Sequence, residues 1–305
     1  MIVKKETKGD IIIYYVKADI TNDKMASILN NKLKRNQIDT IIDHDADVYT
    51  EDGILLLRFR KNKLNHKYIE EFYDNIINFA LQKTNNRGCA SGSTIKLNTH
   101  NPRIMTNILG YFDTLSPAHK VKFKKLGKPM PTLTVRETRF NQGYPEKFKK
   151  LLPLIKEIDH YYEKLIPEKY NQQRKKANQT PFKINGTSFT TITTNVNFQT
   201  AVHTDKGDDE DGFGNLTVIE KGKYTGGETC FPQYKIGVDV KLGDVLFMDV
   251  HQAHGNLPIL LKTPDAKRLS IVCYLRKNIW KNTKGKTKKF MESHNKTLKT
   301  ILGKK

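Results

Sequence analysis

The sequence predicts an α+β fold, with helices and strands in the first part of the chain and a β-rich core after them. Two patterns lead to this fold class. Up to about residue 167, segments with apolar residues at helical spacing alternate with strand-like runs. From about residue 184, short runs of β-branched and aromatic residues follow one another, separated by glycine-containing turns. Many short strands with this punctuation are typical of a sandwich, a barrel or a jelly roll.

The first part of the chain is predicted element by element from local signals. The predicted elements, in chain order, are a strand over 9–19, a helix over 21–34 capped by Thr21 or Asn22, a β-hairpin over 40–61 that turns at 51–53, a helix over 65–83, and a helix over 145–167 that is interrupted or kinked at Pro153. Between them, NNRGCASGS (85–93) indicates a connector or a functional loop, and residues 102–143 have little periodicity.

The predicted β-core begins with TSFTTITTNVNFQTAVH (187–203), which is rich in β-branched and aromatic residues. Five further strand-like segments follow: NLTVIEKG (215–222), GETCFP (227–232), GVDVKL (237–242), DVLFMDV (244–250) and RLSIVCYLR (268–276). The glycine turns between them make each segment a separate short strand rather than part of a helix.

The strongest compositional feature is a net charge of +21 over 305 residues. Residues 276–305 carry eleven Lys and Arg against one acid, and a second basic stretch, KVKFKKLGK, covers 120–128. A protein that binds a phosphate backbone needs such concentrated charge, because its cations release counterions from the nucleic acid. The charge therefore favours nucleic acid as the partner. Two alternatives remain. The charge could serve an anionic membrane surface, which would be a less specific partner, or it could reflect a lysine-rich composition with no binding role.

Other classes are excluded by what the sequence lacks. No run of about 18 apolar residues occurs, so neither a transmembrane helix nor a membrane partner is expected. The apolar patch near the N-terminus is too short for a signal peptide. Cys89, Cys230 and Cys273 are scattered and odd in number, which predicts neither a zinc site nor a disulfide framework. We expect an intracellular protein that is not secreted, and nothing in the sequence implies a partner protein.

Three short motifs in the β-core carry the chemistry. His203 and Asp205 are two residues apart, so on an extended chain they point to the same face. DVHQAH (249–254) supplies a second histidine, His251 or His254. Two imidazoles and one carboxylate leave three metal positions open, as a non-haem Fe(II) oxygenase requires for O₂ and a bidentate co-substrate. A hydrolytic zinc centre fits less well, because zinc favours four-coordinate sites and often uses cysteine.

The third motif is Arg268-Leu-Ser270, which lies closer to His254 than to His251. In 2-oxoglutarate-dependent oxygenases a basic residue that follows the distal histidine binds the far carboxylate of the co-substrate. Its usual distance from that histidine along the chain matches the distance from His254 to Arg268 better than the distance from His251. The spacing favours His254 as the ligand and leaves His251 as a neighbour. Arginine suits a carboxylate because its planar fork donates two parallel hydrogen bonds, and Ser270, on the same strand face, adds a third.

These motifs, read together from HTDKGD through GGETCFPQY and DVLFMDVHQAHGN to RLSIVCYLRK, resemble the TET/JBP branch of Fe(II)/2-oxoglutarate dioxygenases. The resemblance is dense over about 184–278 and is closest to the subset of the J-binding protein and its fungal and viral relatives. NRGCASG (86–92), NILGYFD (107–113) and VRETRF (135–140) resemble upstream segments of that subset more loosely. The resemblance to this family implies a double-stranded β-helix (jelly-roll) core with flanking helices and an N-terminal α/β extension.

The resemblance also implies an activity, in which the 5-methyl group of thymine or 5-methylcytosine in a nucleic acid is hydroxylated with Fe(II), 2-oxoglutarate and O₂, yielding succinate and CO₂. Carried over residue by residue, the catalytic set would be three iron ligands, His203, Asp205 and His254, and the co-substrate clamp Arg268. A methyl group inside a duplex cannot approach the iron, so an extruded base or a single strand is expected. The candidate base contacts are Phe189, Asn195, Asn197, Phe198 and Arg136.

The competing predictions use the same β-core. GGETCFP (226–232) also resembles a strand of prolyl hydroxylases, so a protein hydroxylase is the alternative, although those enzymes usually hold the co-substrate with lysine. A catalytically dead β-barrel that only binds nucleic acid is disfavoured by the intact set of ligands, and a cupin-like jelly roll would not need Arg268.

The predicted domain organisation has three parts: an N-terminal α/β extension (1–100), the dioxygenase core with its supporting helix (101–280), and a mobile basic tail (281–305). The acidic stretch that follows the HTD motif, residues 208–211, is awkward beside a nucleic acid. We therefore expect it to be a solvated loop.

Overall fold

The secondary structure is taken from a computed structural model that describes residues 1–85 and 103–302. The strands are β1 (Ile2–Lys8), β2 (Ile11–Val16), β3 (Thr40–Ile42), β4 (Ala46–Thr50), β5 (Leu55–Arg60), β6 (Thr106–Phe112), β7 (Arg136–Glu137), β8 (Thr191–Val196), β9 (Gly214–Lys221), β10 (Tyr224–Gly226), β11 (Thr229–Phe231), β12 (Ile236–Val238), β13 (Val245–Met248), β14 (Gly255–Asn256), β15 (Ile259–Leu261) and β16 (Lys267–Tyr274). The helices are α1 (Asn22–Ile28), α2 (His66–Ala80), α3 (Pro117–Lys125), α4 (Arg139–Gly143), α5 (Pro145–Leu165), α6 (Pro167–Ala177), α7 (Lys277–Thr283) and α8 (Lys288–Leu302).

The chain divides into two compact units that do not follow its linear order. The first unit comprises Met1–Asn107, Thr193–Lys206 and Phe213–Val272, and the second comprises Ile108–Ile192, Gly207–Gly212 and Cys273–Lys305. The boundaries predicted from the sequence, after residues 100 and 280, are drawn along the chain and stay a prediction. The predicted loop NNRGCASGS lies, apart from its first residue, outside the described residues.

The first unit contains a large sheet with the strand order β1–β2–β4–β5–β13–β9–β16–β8–β6, in which β8 and β6 take part with residues 193–196 and 106–107. A smaller sheet has the order β14–β11–β12–β3, and β10 pairs with β15. The fold is therefore mixed α and β, as the sequence predicts, and it contains a large sheet. The expected run of short strands after residue 184 is confirmed.

Strands of both sheets bury one apolar cluster in the first unit. The large sheet contributes residues of β2, β4, β5, β9 and β13, and the smaller sheet contributes Phe231, Ile236 and Val238. Phe59, Phe231 and Val238 are fully buried, and burying a side chain of this size contributes about 1.5–3 kcal/mol. This cluster makes the two sheets a rigid support for residues at their strand ends.

The N-terminal predictions are confirmed in type and corrected in extent. The hairpin of β4 and β5 turns at Gly53, whose φ of +83° lies in the left-handed region that favours glycine. Helix α2 lies within the predicted 65–83, with Asn65 as its cap. Helix α1 is capped by Thr21 as expected, but it ends at Ile28. It stops short because Asn30, with φ +65°, donates its N–H to Val202 O instead of continuing the helix.

The second unit is built around α5, which runs through Pro153 without interruption. Its inward face is apolar and fully buried at Leu151, Leu154 and Ile155. Because this face packs along its whole length, the helix is not divided at the proline as the sequence suggested. The region without periodicity before it forms β6, β7 and two short helices, so its elements were too short to leave a periodic pattern.

The basic C-terminal segment is folded, which corrects the expectation of a mobile tail. Helix α8 covers 288–302, and Leu298 is buried against Leu115 and Phe123. Met291 and Ile301 also pack against buried apolar residues. These apolar positions lie among many lysines, and for that reason the charge pattern hid the helical periodicity.

The acidic stretch 208–211 is solvated only in its second half, where Glu210 and Asp211 are exposed. Asp208 and Asp209 are buried, and Lys176 on α6 lies 2.5 Å from Asp209 Oδ1 and 2.6 Å from Asp211 Oδ2. Lys277 pairs with Glu210 at 2.9 Å. Cations of the second unit therefore neutralise this stretch, and it presents much less negative charge than its sequence implies.

Candidate metal centre and pocket

The two histidines of the site are brought together by backbone pairing within the first unit. His203 and His254 form an isolated antiparallel bridge, in which each N–H donates to the other's carbonyl oxygen at 2.9 Å. Gly255 permits this close approach, because a Cβ there would lie 3.1 Å from Thr200 O and 3.2 Å from Val202 N. The imidazole rings lie 4.5 Å apart, centroid to centroid.

The imidazoles are held with the same nitrogen facing inward. His203 Nδ1 lies 2.9 Å from Ala201 O, and His254 Nδ1 lies 2.9 Å from Gln252 O. A carbonyl oxygen can only accept, so each Nδ1 carries a proton, and in the neutral imidazole the lone pair is then on Nε2. A backbone carbonyl that fixes the tautomer of a histidine in this way is typical of metal-ligating imidazoles.

Asp205 faces both inward nitrogens. Its Oδ1 lies 3.5 Å from His203 Nε2 and its Oδ2 lies 3.8 Å from His254 Nε2. The backbone N–H of Asp205 donates to Val250 O at 3.0 Å, which pins the residue to the chain just before His254. One ligand atom from each of the three residues lies within 4.8 Å of the others, a spacing that one metal ion can bridge. His251, the alternative ligand, is not part of this group of described residues.

The three side chains line a pocket of the first unit that encloses about 560 Å³ of empty space, its open mouth included. Alternate residues of β16, Arg268, Ser270 and Val272, form one wall, because side chains two apart on a strand share a face. The remaining lining residues are Asn195, Phe198, Thr200, Leu216, Thr229, Met248, Gly255 and Asn256.

Arg268 contributes to this wall a buried donor that has no partner in the described part of the chain. The residue is 5% exposed, and its terminal Nη2 is buried with no hydrogen-bond partner among the described residues. A buried donor without a partner costs about 1–3 kcal/mol, more when it is charged, so such an atom indicates a missing acceptor. Gly227 leaves room for the side chain, because a Cβ at that position would lie 2.8 Å from Arg268 Nε. The arrangement fits an acidic ligand in the pocket.

Asn195 lines the pocket, but both ends of its amide are engaged. Its Oδ1 accepts from Thr106 Oγ1 at 2.9 Å, and its Nδ2 donates to Ser270 Oγ at 3.2 Å. Because Ser270 Oγ already accepts this bond, its own hydrogen is directed elsewhere and can be donated. Asn195 thus orients Ser270, and because an amide nitrogen carries two hydrogens, Asn195 stays a predicted base contact in the pocket wall.

Asn197, predicted as a base contact, instead holds the backbone of Arg268. Its Oδ1 accepts from Arg268 N at 2.7 Å, its N–H donates to Arg268 O at 3.0 Å, and its Nδ2 donates to Ala266 O at 2.9 Å. With φ +48° the residue lies in the left-handed region, where asparagine is tolerated better than most side chains. It is not among the residues that line the pocket.

The other predicted base contacts divide between the two units. Phe198 lines the pocket of the first unit. Arg136 belongs to the second unit, where Nε donates to Thr114 O at 2.8 Å and burial lowers the pKa of its guanidinium. Phe189 is fully buried there and stacks on Tyr162, with centroids 6.3 Å apart, which makes it a core residue.

Sequence reasoning missed Asn256, which lines the pocket and accepts from Thr200 N at 2.7 Å. The period-two rule that linked His203 to Asp205 could have found it, because Asn256 lies two residues after His254. Thr229 on β11 was missed as well, and no local signal distinguishes it from other strand residues.

Comparison with known proteins gives a family match and a set of relatives. The profile of the Tet_JBP family, described as the oxygenase domain of the 2OGFeDO superfamily, matches residues 121–277. The bifunctional helicase and thymine dioxygenase JBP2 of Leishmania braziliensis is 37% identical over 171 residues, which is 56% of this chain and 14% of that protein. JBP2 of Trypanosoma brucei brucei is 28% identical over 277 residues, 87% of this chain and 23% of that protein.

Thymine dioxygenase JBP1 of Trypanosoma brucei brucei is 32% identical over 173 residues, 56% of this chain and 19% of that protein. The matches thus span less than a quarter of the length of these curated relatives. Among solved structures, NgTET1 in complex with 5mC DNA is 15% identical with a TM-score of 0.53, covering 87% of this chain and 88% of that one. This likeness concerns the fold. None of the described helices is long and apolar enough to cross a membrane.

Proposed function

The chain belongs to the Tet_JBP family of oxygenase domains in the 2OGFeDO superfamily, whose members use Fe(II), 2-oxoglutarate and O₂, and we propose that it hydroxylates the 5-methyl group of a nucleic-acid base. The base is thymine or 5-methylcytosine, and the nucleic acid is DNA. The products are the hydroxymethyl base, succinate and CO₂. The relatives named thymine dioxygenase and the DNA-bound NgTET1 support this substrate class.

One observation carries the proposal: a convergent His-Asp-His group and a buried arginine with an unsatisfied donor line the same pocket. The donor set tests the fit to iron. Two imidazole nitrogens and one carboxylate oxygen, all within 4.8 Å of one another, are the donor set that non-haem Fe(II) oxygenases use. We propose His203, Asp205 and His254 as the iron ligands. The carbonyls of Ala201 and Gln252 hold both imidazoles in the tautomer that can bind a metal.

We propose Arg268 and Ser270 as the residues that bind 2-oxoglutarate. The unsatisfied Nη2 of Arg268 and the hydroxyl hydrogen of Ser270 are both donors in the pocket, and a carboxylate accepts from both. Asn197 keeps Arg268 in place through its backbone, and Gly227 leaves the guanidinium space. The distal carboxylate of 2-oxoglutarate is the acceptor that these groups lack.

The residues of the chain hold and orient the reactants, whereas Fe(II) with 2-oxoglutarate and O₂ supplies the oxidising power that inserts one oxygen atom into a methyl C–H bond. Fixed imidazole tautomers remove the need for a proton to move when the metal binds. The buried guanidinium of Arg268 orients the co-substrate by binding its distal carboxylate. Phe198, at the pocket wall, offers a ring on which an extruded base could stack.

The same proposal includes the architecture of the core and the cellular location of the protein. We propose that the two sheets of the first unit form a double-stranded β-helix core, with β1–β5 and their helices as its N-terminal extension. The fold-level likeness to NgTET1 supports the core. Since the proposed substrate is DNA, the proposed site of action is intracellular, where the DNA lies.

The test uses the purified chain with Fe(II), 2-oxoglutarate, O₂ and duplexes that contain thymine and 5-methylcytosine. Nucleoside mass spectrometry should detect 5-hydroxymethyluracil or 5-hydroxymethylcytosine, with succinate formed in proportion. A parallel reaction offers proline-containing peptides, because a protein hydroxylase remains the alternative. Hydroxyproline without any modified base would replace the proposed substrate by a protein.

A further inference from the structure

Two lysine-rich segments that are far apart in the sequence pack together in the second unit. Phe123 of α3 and Leu298 of α8 are buried in one apolar cluster with Leu115, and Ile301 packs beside them. Because these apolar side chains take up the inner faces of the helices, the lysines of both segments are left on the outside. The two basic stretches that the sequence displays separately are thus parts of one structural element.

The outer lysines are exposed and carry little compensating acid. The exposed lysines of this surface are Lys120, Lys124, Lys125 and Lys128 in and after α3, and Lys288, Lys289 and Lys296 on α8. Glu292 is the acid of α8, and it lies 3.9 Å from Lys288. The ion pairs that α8 makes, Lys288 with Glu292 and Lys299 with Glu137, involve none of the other exposed lysines of this surface. We call this set of exposed lysines the α3–α8 surface.

The net charge of the second unit supports a role for this surface in binding a polyanion. The unit contains 28 Lys and Arg against 12 Asp and Glu, a net charge of +16 out of the +21 of the chain. Four of its acids, residues 208–211, lie in the stretch that Lys176 and Lys277 pair with, so they do not offset the lysines of α3 and α8. Like charges held together repel one another, and a polyanion that neutralises them is therefore bound favourably.

We infer that the α3–α8 surface binds the phosphate backbone of duplex DNA, as an anchoring contact separate from the pocket that takes the base. Helix α8 has 15 residues and is about 22 Å long, which corresponds to about six base-pair steps along B-DNA. Lysine ammonium groups suit this contact because they act as point charges toward phosphate and require no fixed geometry. The contact is independent of base sequence. It rests on the proposed function only for the identity of the polyanion.

The experiment measures duplex binding by fluorescence anisotropy over a range of salt concentrations, without iron or 2-oxoglutarate. The test variant neutralises four positions together: Lys124→Gln, Lys125→Gln, Lys289→Gln and Lys296→Gln. The matched control makes the same change of net charge on exposed lysines of the first unit: Lys8→Gln, Lys67→Gln, Lys223→Gln and Lys262→Gln. A third variant places arginine at the four test positions.

Each lost phosphate contact lowers the slope of log K against log salt by about 0.9, so the test variant should lose between about two and four units of slope. The control should lose less than about one, and the arginine variant should keep the slope of the unchanged chain. The loss should be equal for A·T-only and G·C-only duplexes. Melting temperature establishes that the variants are folded.

Three results would overturn the inference: an unchanged slope in the test variant, an equal loss in the control, or no salt-dependent duplex binding by the unchanged chain. Binding to vesicles that contain anionic lipid is measured in the same way. If the test variant loses vesicle binding but binds the duplex as the unchanged chain does, the surface binds a membrane instead. Succinate formation from 2-oxoglutarate without DNA is measured on the same variants. Succinate formation should not change in these variants. The two measurements therefore distinguish a surface that does not bind DNA from an error in the proposed chemistry.

Discussion

The two compact units of the chain differ in charge and in what their charged residues do. The first unit has 25 Lys and Arg against 20 Asp and Glu, a net charge of +5, and it holds all the residues that line the pocket. The second unit carries +16 and contains α3 and α8. In the first unit the pocket wall contains one buried cation, Arg268. In the second, many lysines are exposed on α3 and α8. Proposed chemistry and proposed polyanion binding therefore fall on different parts of the molecule.

The largest effect is expected from removing the carboxylate of the proposed iron site. Asp205→Ala leaves two imidazoles without the third ligand, and turnover of 2-oxoglutarate to succinate should fall at least about 100-fold. Anaerobic Fe(II) binding should weaken in parallel. Asp211→Ala, an acid in the neighbouring stretch of the second unit, is the control and should keep iron binding. Unchanged succinate formation in Asp205→Ala would contradict the assignment.

The next effect tests the buried arginine of the first unit. Arg268→Ala removes a charge-assisted bond that contributes about 1.5–3 kcal/mol, so KM for 2-oxoglutarate should rise about 10- to 150-fold. Lys267→Ala is the matched control, because it lies next in sequence on β16 and its Nζ donates to Asp265 O at 3.0 Å. Steady-state kinetics at saturating O₂ separates KM from kcat. An unchanged KM would exclude Arg268 as the co-substrate clamp.

A third prediction concerns the acidic stretch of the second unit. Lys176→Met leaves the buried Asp209 without its ammonium partner and should lower the free energy of unfolding by about 2 kcal/mol. Lys277→Met removes a partner of the exposed Glu210 and should cost less than about 1 kcal/mol. Urea denaturation measures both. Equal losses would mean that burial does not distinguish the two ion pairs.

A smaller effect is expected for Asn197, which positions Arg268 without lining the pocket. Asn197→Gly keeps the left-handed backbone but removes two side-chain hydrogen bonds, and KM for 2-oxoglutarate should rise about 3- to 10-fold, since each bond contributes about 1 kcal/mol. kcat should change little. Thr263→Ala, in the loop before β16, serves as the control. A fall in kcat with an unchanged KM would indicate a direct role in the reaction instead.

The smallest effect concerns pH. Burial raises the pKa of Asp159, whose carboxylate accepts from Ser188 and Tyr170 in the second unit. The folded state therefore binds this proton more tightly than the unfolded chain. Stability from this group is present below the ordinary pKa of aspartate and is lost as pH rises through the folded value, by no more than about 1.4 kcal/mol per pH unit. Asp159→Asn should flatten the dependence of the free energy of unfolding on pH above the ordinary pKa of aspartate, as urea denaturation of both proteins measures.

Much of the fold followed from local pattern. The hairpin of β4 and β5, helix α2 and the succession of short strands are all encoded over a few consecutive residues, through alternation, helical spacing and turn glycines. The tail was mispredicted because its lysines masked the apolar spacing of α8. The burial of Asp208 and Asp209 was not predicted, because a run of acids is ordinarily solvated and the cationic partners of this one lie elsewhere in the chain.

By itself the sequence determined that Arg268 and Ser270 share a strand face, because a strand alternates with period two. The same period predicted that His203 and Asp205 point together, and they do face one another although they lie outside the named strands. Tertiary structure alone decided which distant segments meet. The bridge between His203 and His254, the hold of Asn197 on Arg268, and the packing of α3 on α8 each join residues 50 to 180 positions apart. Such contacts depend on sheet order and on the burial of apolar faces, and no local spacing in the chain encodes either.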